Sequence, residues 1–173
     1  MPEKTRKQPP ERPLDKILYV MLLLILSASV VLFVRSRLQE TVGTPYDLSA
    51  LREEIMSSGL LEEAQPGSEA TIRRNYDLLP SAYGEALHIA PRDFMSVEEI
   101  IIIRLDNHSD AESIRNAFVR RTENLKQTFE NYGTDQYDLL CSCLRYENNL
   151  YLVSVTGHQA SRLMEIIRAR IER

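Results

Sequence analysis

Between Ile17 and Val34 the chain reads ILYVMLLLILSASVVLFV, 18 residues without a charge. As a helix this stretch spans roughly 27 Å at about 1.5 Å per residue, close to the ~30 Å hydrocarbon core of a bilayer. Backbone amides left bare in lipid are costly, so a lone span has to be helical. The pattern predicts a transmembrane helix over 17–34, with Lys16, Arg35 and Arg37 placed to reach the headgroups. A cleaved signal peptide is the competing reading, because Ser27, Ala28 and Ser29 are small. Cutting there would leave VVLFV as a greasy new terminus behind a long basic lead, which favours an uncleaved anchor.

Past the span the periodicity changes to that of a folded domain. Leu48, Leu51 and Ile55 share one helical face, with Asp47 as cap and Gly59 as stop. Gln65-Pro66-Gly67 breaks the chain, and Ser68 caps a short helix over Glu69 to Tyr76. Ala86 to Ala90 suggests a short strand. Val97 to Leu105 (VEEIIIIRL) is the surest one, since four successive isoleucines require burial on both faces and a central place in a sheet.

Ser109 and Glu112 have the spacing of a capping box for a helix from about Asp110 to Tyr132, ended by Gly133. Ile114, Phe118, Leu125, Phe129 and Tyr132 form its apolar stripe. Thr134 caps a short helix reaching about Cys141. Leu144–Glu147 and Leu150–Thr156 flank Asn148-Asn149, a pair suited to a two-residue hairpin turn with positive φ. That turn sets Tyr146 against Tyr151 and Leu144 against Val153. A last helix carries Ala160, Leu163, Ile167 and Ile171 inward. The order predicts an α+β domain with one antiparallel sheet of about four strands and helices packed on it. The predicted organisation is a disordered basic tail at 1–16, a span at 17–34, a tether at 35–45 and the α+β domain at 46–173.

Charge changes the picture by orienting the span. Five basic residues precede it (Lys4, Arg6, Lys7, Arg12, Lys16) and only Arg35 and Arg37 follow closely. That bias places the N-terminus in the cytoplasm and the domain outside, in the cell membrane as a single-pass protein. Residues 1–43 carry a net +3 and residues 44–173 a net −7, so the basic arm suits the anionic inner leaflet. An acidic outer domain argues against nucleic acid as a partner. A cytoplasmic arm of about 16 residues is too short for an output domain, which disfavours a sensor.

Few residues carry recognisable chemistry. Arg121 falls on the apolar stripe of the long helix, where a guanidinium requires a partner, and Glu99 at the mouth of the central strand is the candidate. The expected role is a structural ion pair setting helix on sheet, with a carboxylate-binding or catalytic arginine as the alternative. Cys141 and Cys143 are too close along the chain for an easy bridge and lack the C-x-x-C spacing, so both are expected to be free. His88, His108 and His158 are isolated and read as surface or capping residues, with no metal-ligand spacing. The acidic pairs Glu53-Glu54, Glu62-Glu63 and Glu98-Glu99 read as solvated faces. No nucleophile elbow, phosphate loop or zinc-protease motif occurs, so no metal or cofactor is implied and the balance lies against an enzyme.

The stretch VEEIIIIRL, RRTENLKQTFENYGTDQYDLL and ENNLYLVSV resembles the bacterial family called domain of unknown function 4358, over about residues 68–156. The family pattern has an acid before an apolar strand, an Arg in the long helix, a Tyr at that helix's end, a Q-Y pair and an aromatic opening the last strand. Glu99, Arg121, Tyr132, Gln136 with Tyr137, and Tyr151 stand at those places. The resemblance implies a small envelope protein with a lipoprotein signal or a membrane anchor, and no assigned reaction. This chain lacks a lipobox cysteine, which favours the plain anchor. It marks Tyr132, Gln136, Tyr137 and Tyr151 as a candidate binding surface. The combined expectation is an extracytoplasmic accessory or binding module serving an envelope protein, with a small enzyme acting on wall polymers as the alternative.

Overall fold

The computed structural model describes residues 21–30, 45–61 and 63–172. The chain divides into two units, Met1–Thr41 and Val42–Arg173. In the first, residues 21–30 are helical and exposed. Among the described residues no helix is long and apolar enough to cross a membrane. The expected span 17–34 extends beyond them at both ends, and the expected tail 1–16 and most of the tether 35–45 lie outside them.

In the second unit the elements run α1 (Leu48–Ser57), β1 (Ala64–Pro66), α2 (Glu69–Tyr76), a 3-10 turn (Pro80–Ala82), β2 (Glu85–Pro91) and β3 (Glu99–Arg104). There follow α3 (Ala111–Phe129), α4 (Thr134–Cys141), β4 (Leu144–Glu147), β5 (Tyr151–Thr156) and α5 (Ala160–Ile171). The fold is α+β with one antiparallel sheet of five strands in the order β1-β2-β3-β5-β4. The expected number was about four; the extra strand is β1, three residues at the edge of β2. Its sequence, Ala-Gln-Pro, has no strand propensity, and Pro66 is tolerated because it ends an edge strand.

Strand β3 is central, and its four isoleucines are wholly buried, alternating between two cores. Ile100 and Ile102 join Leu87, Ile89, Val153 and Val155 under α1 and α5. Ile101 and Ile103 join Ile72, Tyr76, Ile114 and Phe118 under α2 and α3. Each isoleucine contributes about 1.5–3 kcal/mol by leaving water. A third, smaller cluster of Val97, Phe129 and Leu140 lies beneath the C-terminal part of α3 and α4.

Local chemistry sets the ends of the elements. Asp47 Oδ1 accepts from Ser49 N and starts α1. Ser68 and Thr71 form a reciprocal capping box on α2. Helix α3 is capped by Asp110, whose carboxylate accepts from the amides of Glu112 and Ser113. The expected Ser109 cap is instead spent on Asp106, and the helix stops at Phe129 rather than Tyr132.

The hairpin differs by one turn position. Leu144 faces Val155 and Tyr146 faces Val153. Asn148 Oδ1 accepts from the amides of Leu150 and Tyr151, an Asx turn that fixes Asn148 as the first turn residue. The register therefore slides by two, which keeps every side chain on its expected face.

Candidate functional site

Alternation makes the two acids at the start of β3 diverge. Glu99 shares a face with Ile101 and Ile103, and Glu98 shares one with Ile100 and Ile102. Both are buried, at 5% and 7% exposure, so the expected solvated acidic pair does not exist here.

Glu99 is a well-satisfied acceptor. His88 Nε2 lies 2.9 Å from its Oε1 and Asn75 Nδ2 donates to the same oxygen at 3.3 Å. Arg121 Nε donates to Oε2 at 3.0 Å. Three donors thus meet the carboxylate, which offers roughly four lone-pair sites when ionised. Burial pushes the Glu99 carboxyl up, but the hydrogen bond from His88 and the Arg121 charge outweigh it, and the group is held below its ordinary value. Burial, with the negative Glu99 beside it, pushes the Tyr76 hydroxyl well up and keeps it neutral.

His88 is 1% exposed and was not legible as a site residue. Its Nδ1 lies 2.8 Å from Thr71 Oγ1, and its ring packs edge-on against Tyr76. An ionised Glu99 only accepts, so Nε2 carries a proton and Thr71 faces the other nitrogen. The result is a hydroxyl–imidazole–carboxylate line, the order found in activated nucleophiles. Here, however, the single proton of Thr71 Oγ1 has a competing acceptor in Ser68 O at 2.7 Å, and the oxygen accepts from Ser68 N at 2.9 Å. The backbone of Gly67 closes the ring from outside: a Cβ there would lie 2.3 Å from His88 Nδ1. Every group in the line is engaged with protein. The line ties α2, β2, β3 and α3 together.

Glu98 has a different setting. It lines a cleft of about 400 Å³ with Leu60, Glu63, Ser96, Gln136 and His158. Its carboxylate meets two backbone amides, Glu63 N and His158 N, each at 3.4 Å, beyond the usual hydrogen-bond range. Gly157 passes close beneath it: a Cβ there would lie 3.3 Å from Glu98 Oε1, and its φ of +151° strains any other residue.

The residues singled out by the resemblance do not form one surface. Gln136 lines this cleft, with its Oε1 accepting from Val97 N at 3.0 Å. Tyr137 packs on the third core cluster, and Tyr132 is 63% exposed beyond the end of α3. Tyr151 is 1% exposed and cannot belong to a binding surface. Strand alternation turns it into the core under α1 and α5, where its hydroxyl accepts from Tyr46 N at 2.9 Å.

Cys141 and Cys143 are free, the former exposed and the latter half-buried with its Sγ 3.4 Å from Ser154 Oγ. Among the described residues no group of three His, Cys, Asp or Glu side chains is placed to hold a metal ion.

Of Thr71, Asn75 and His88, only His88 had a usable signal. An antiparallel pairing of the strand at 86–90 with β3 sets alternate residues of the two on one face, and His88 is the polar member of that set. No curated protein and no solved structure matches the chain. Residues 57–154, more than half of the 173, match the family described as Domain of unknown function (DUF4358), and the chain belongs to that family.

Proposed function

We propose that this chain is a binding or accessory module of the bacterial cell envelope. Residues 17–34 hold it in the membrane, the N-terminus is cytoplasmic and residues 46–173 lie outside, where they serve an envelope protein. The anchor rests on 18 consecutive uncharged residues, basic-rich on their N-terminal side. The observation that favours binding over chemistry is the contrast at β3. Glu99 has its donors inside the protein, whereas Glu98 faces an open cleft.

Protease added to intact cells tests the topology. The module should be trimmed from the C-terminal side, and a C-terminal reporter active only in the cytoplasm would overturn it. Crosslinking in those cells should yield a discrete envelope protein.

A small enzyme acting on wall polymers is the second reading, favoured by the Thr71–His88–Glu99 line. Turnover of a wall fragment by the whole chain, lost in Thr71→Ala, would put it first.

A further inference from the structure

A carboxylate taken out of water requires either a cation or strong hydrogen bonds. Glu98 has neither among the described residues: its contacts are two amides at 3.4 Å. No Lys or Arg is among the described residues lining the cleft. The exposed Glu63 adds a second carboxylate, and the buried Ser96 and half-buried Gln136 add polar groups beside it. Leu60, also half-buried, offers aliphatic surface.

A volume of about 400 Å³ lies within the ordinary range for small ligands and leaves room for an unbranched aliphatic stem. Glu98, Glu63 and Ser96 bring side-chain acceptors to the cleft, and Gln136, His158 and Gln159 line it too, enough to meet the three donors of a primary ammonium.

We propose that the cleft at the start of β3 is a binding site for a primary alkylammonium group, with Glu98 as its counter-ion. The stem lies along Leu60, and the ammonium replaces the cation that the fold does not supply. A lysine side chain of a polypeptide and a free alkylamine share this chemistry. The assignment deepens the binding-module reading and rests on it only in requiring that the cleft be occupied. The side of the membrane does not enter.

The test is titration of the full chain in detergent micelles, followed by amide NMR shifts at Glu63, Glu98, Gly157 and His158. The probes are n-pentylamine, N-acetyl-lysine N-methylamide and, as an uncharged match, 1-pentanol. The two amines should give saturating shifts and pentanol none. Glu98→Gln should weaken amine binding at least about tenfold, and the exposed Glu63→Gln roughly two- to fivefold, which keeps the test open if the first variant folds poorly.

Tighter binding of the capped lysine than of pentylamine supports a polypeptide lysine as occupant, and equal binding supports a free amine. The proposal is overturned if neither amine saturates by roughly 10 mM. It is overturned equally if Glu98→Gln binds as wild type, or if calcium chloride moves the same amides and displaces the amine. Saturation by pentanol as strong as by pentylamine would remove the ammonium assignment while leaving a binding module. Failure of the module reading itself would appear separately, in the whole-cell experiments.

Discussion

Glu98 and Glu99 are neighbours with the same side chain and nearly the same burial, yet they have opposite surroundings. Glu99 lies on the face covered by α2 and α3, where three donors from three elements converge on it. Glu98 lies on the other face, between the end of α1 and the start of α5, with two distant amides. Burial alone therefore says little about a carboxylate's role. A satisfied acid sets packing, and an unsatisfied one beside a cleft has capacity left for a ligand.

The sharpest way to break this contrast is to delete each acid. Glu99→Ala leaves Arg121 and Asn75 without their acceptor and should cost about 3–5 kcal/mol, read as a lower denaturant midpoint. Arg121→Met should also be clearly destabilising. A variant as stable as wild type would mean that the ion pair does not hold α3 on the sheet.

Acid should reproduce the effect in the wild type. The folded Glu99 lies below its ordinary value of 4.5, so the unfolded chain binds the proton more tightly. The stability due to this group is complete above about pH 4.5 and is lost as pH falls through the lower folded value. Denaturation midpoints measured from pH 7 downwards should show this slope, and Glu99→Ala should lack its share.

Gly67→Ala probes the closure over His88. The new methyl would meet the imidazole at 2.3 Å and should cost about 1–3 kcal/mol. On the opposite face, Tyr151→Phe removes the hydroxyl that accepts from Tyr46 N and donates to Tyr46 O at 3.5 Å, and should cost about 0.5–1.5 kcal/mol by the same midpoint measurement.

Glu98→Gln should be mild, about 1 kcal/mol, because the two contacts it makes are long, although its single amide oxygen can keep only one of them. A loss as large as that of Glu99→Ala would erase the distinction between the two acids.

Much of the fold was legible in the residues. The central place of β3, the bounds of α2, the inward stripe of α5 and the five residues that cap or face α1 all follow from periodicity and short-range capping. Strand β1 was not, because its three residues pair only through backbone supplied by β2. The hairpin slipped because Asn148 takes the first turn position with its side chain rather than a positive-φ position with its backbone.

The site was half legible. Arg121 and Glu99 could be paired by their misfit on apolar faces, and the structure puts their charged groups 3.0 Å apart. His88 gave no such misfit. A lone imidazole suits a surface as well as a core, and only the partner strand decides which. The cleft was invisible because its residues come from six separated places in the chain.

The bond between Tyr151 and Tyr46 joins points 105 residues apart, immediately before α1 begins. The stretch of chain that enters α1 is therefore held to strand β5 by a phenol, one residue ahead of the helix cap at Asp47.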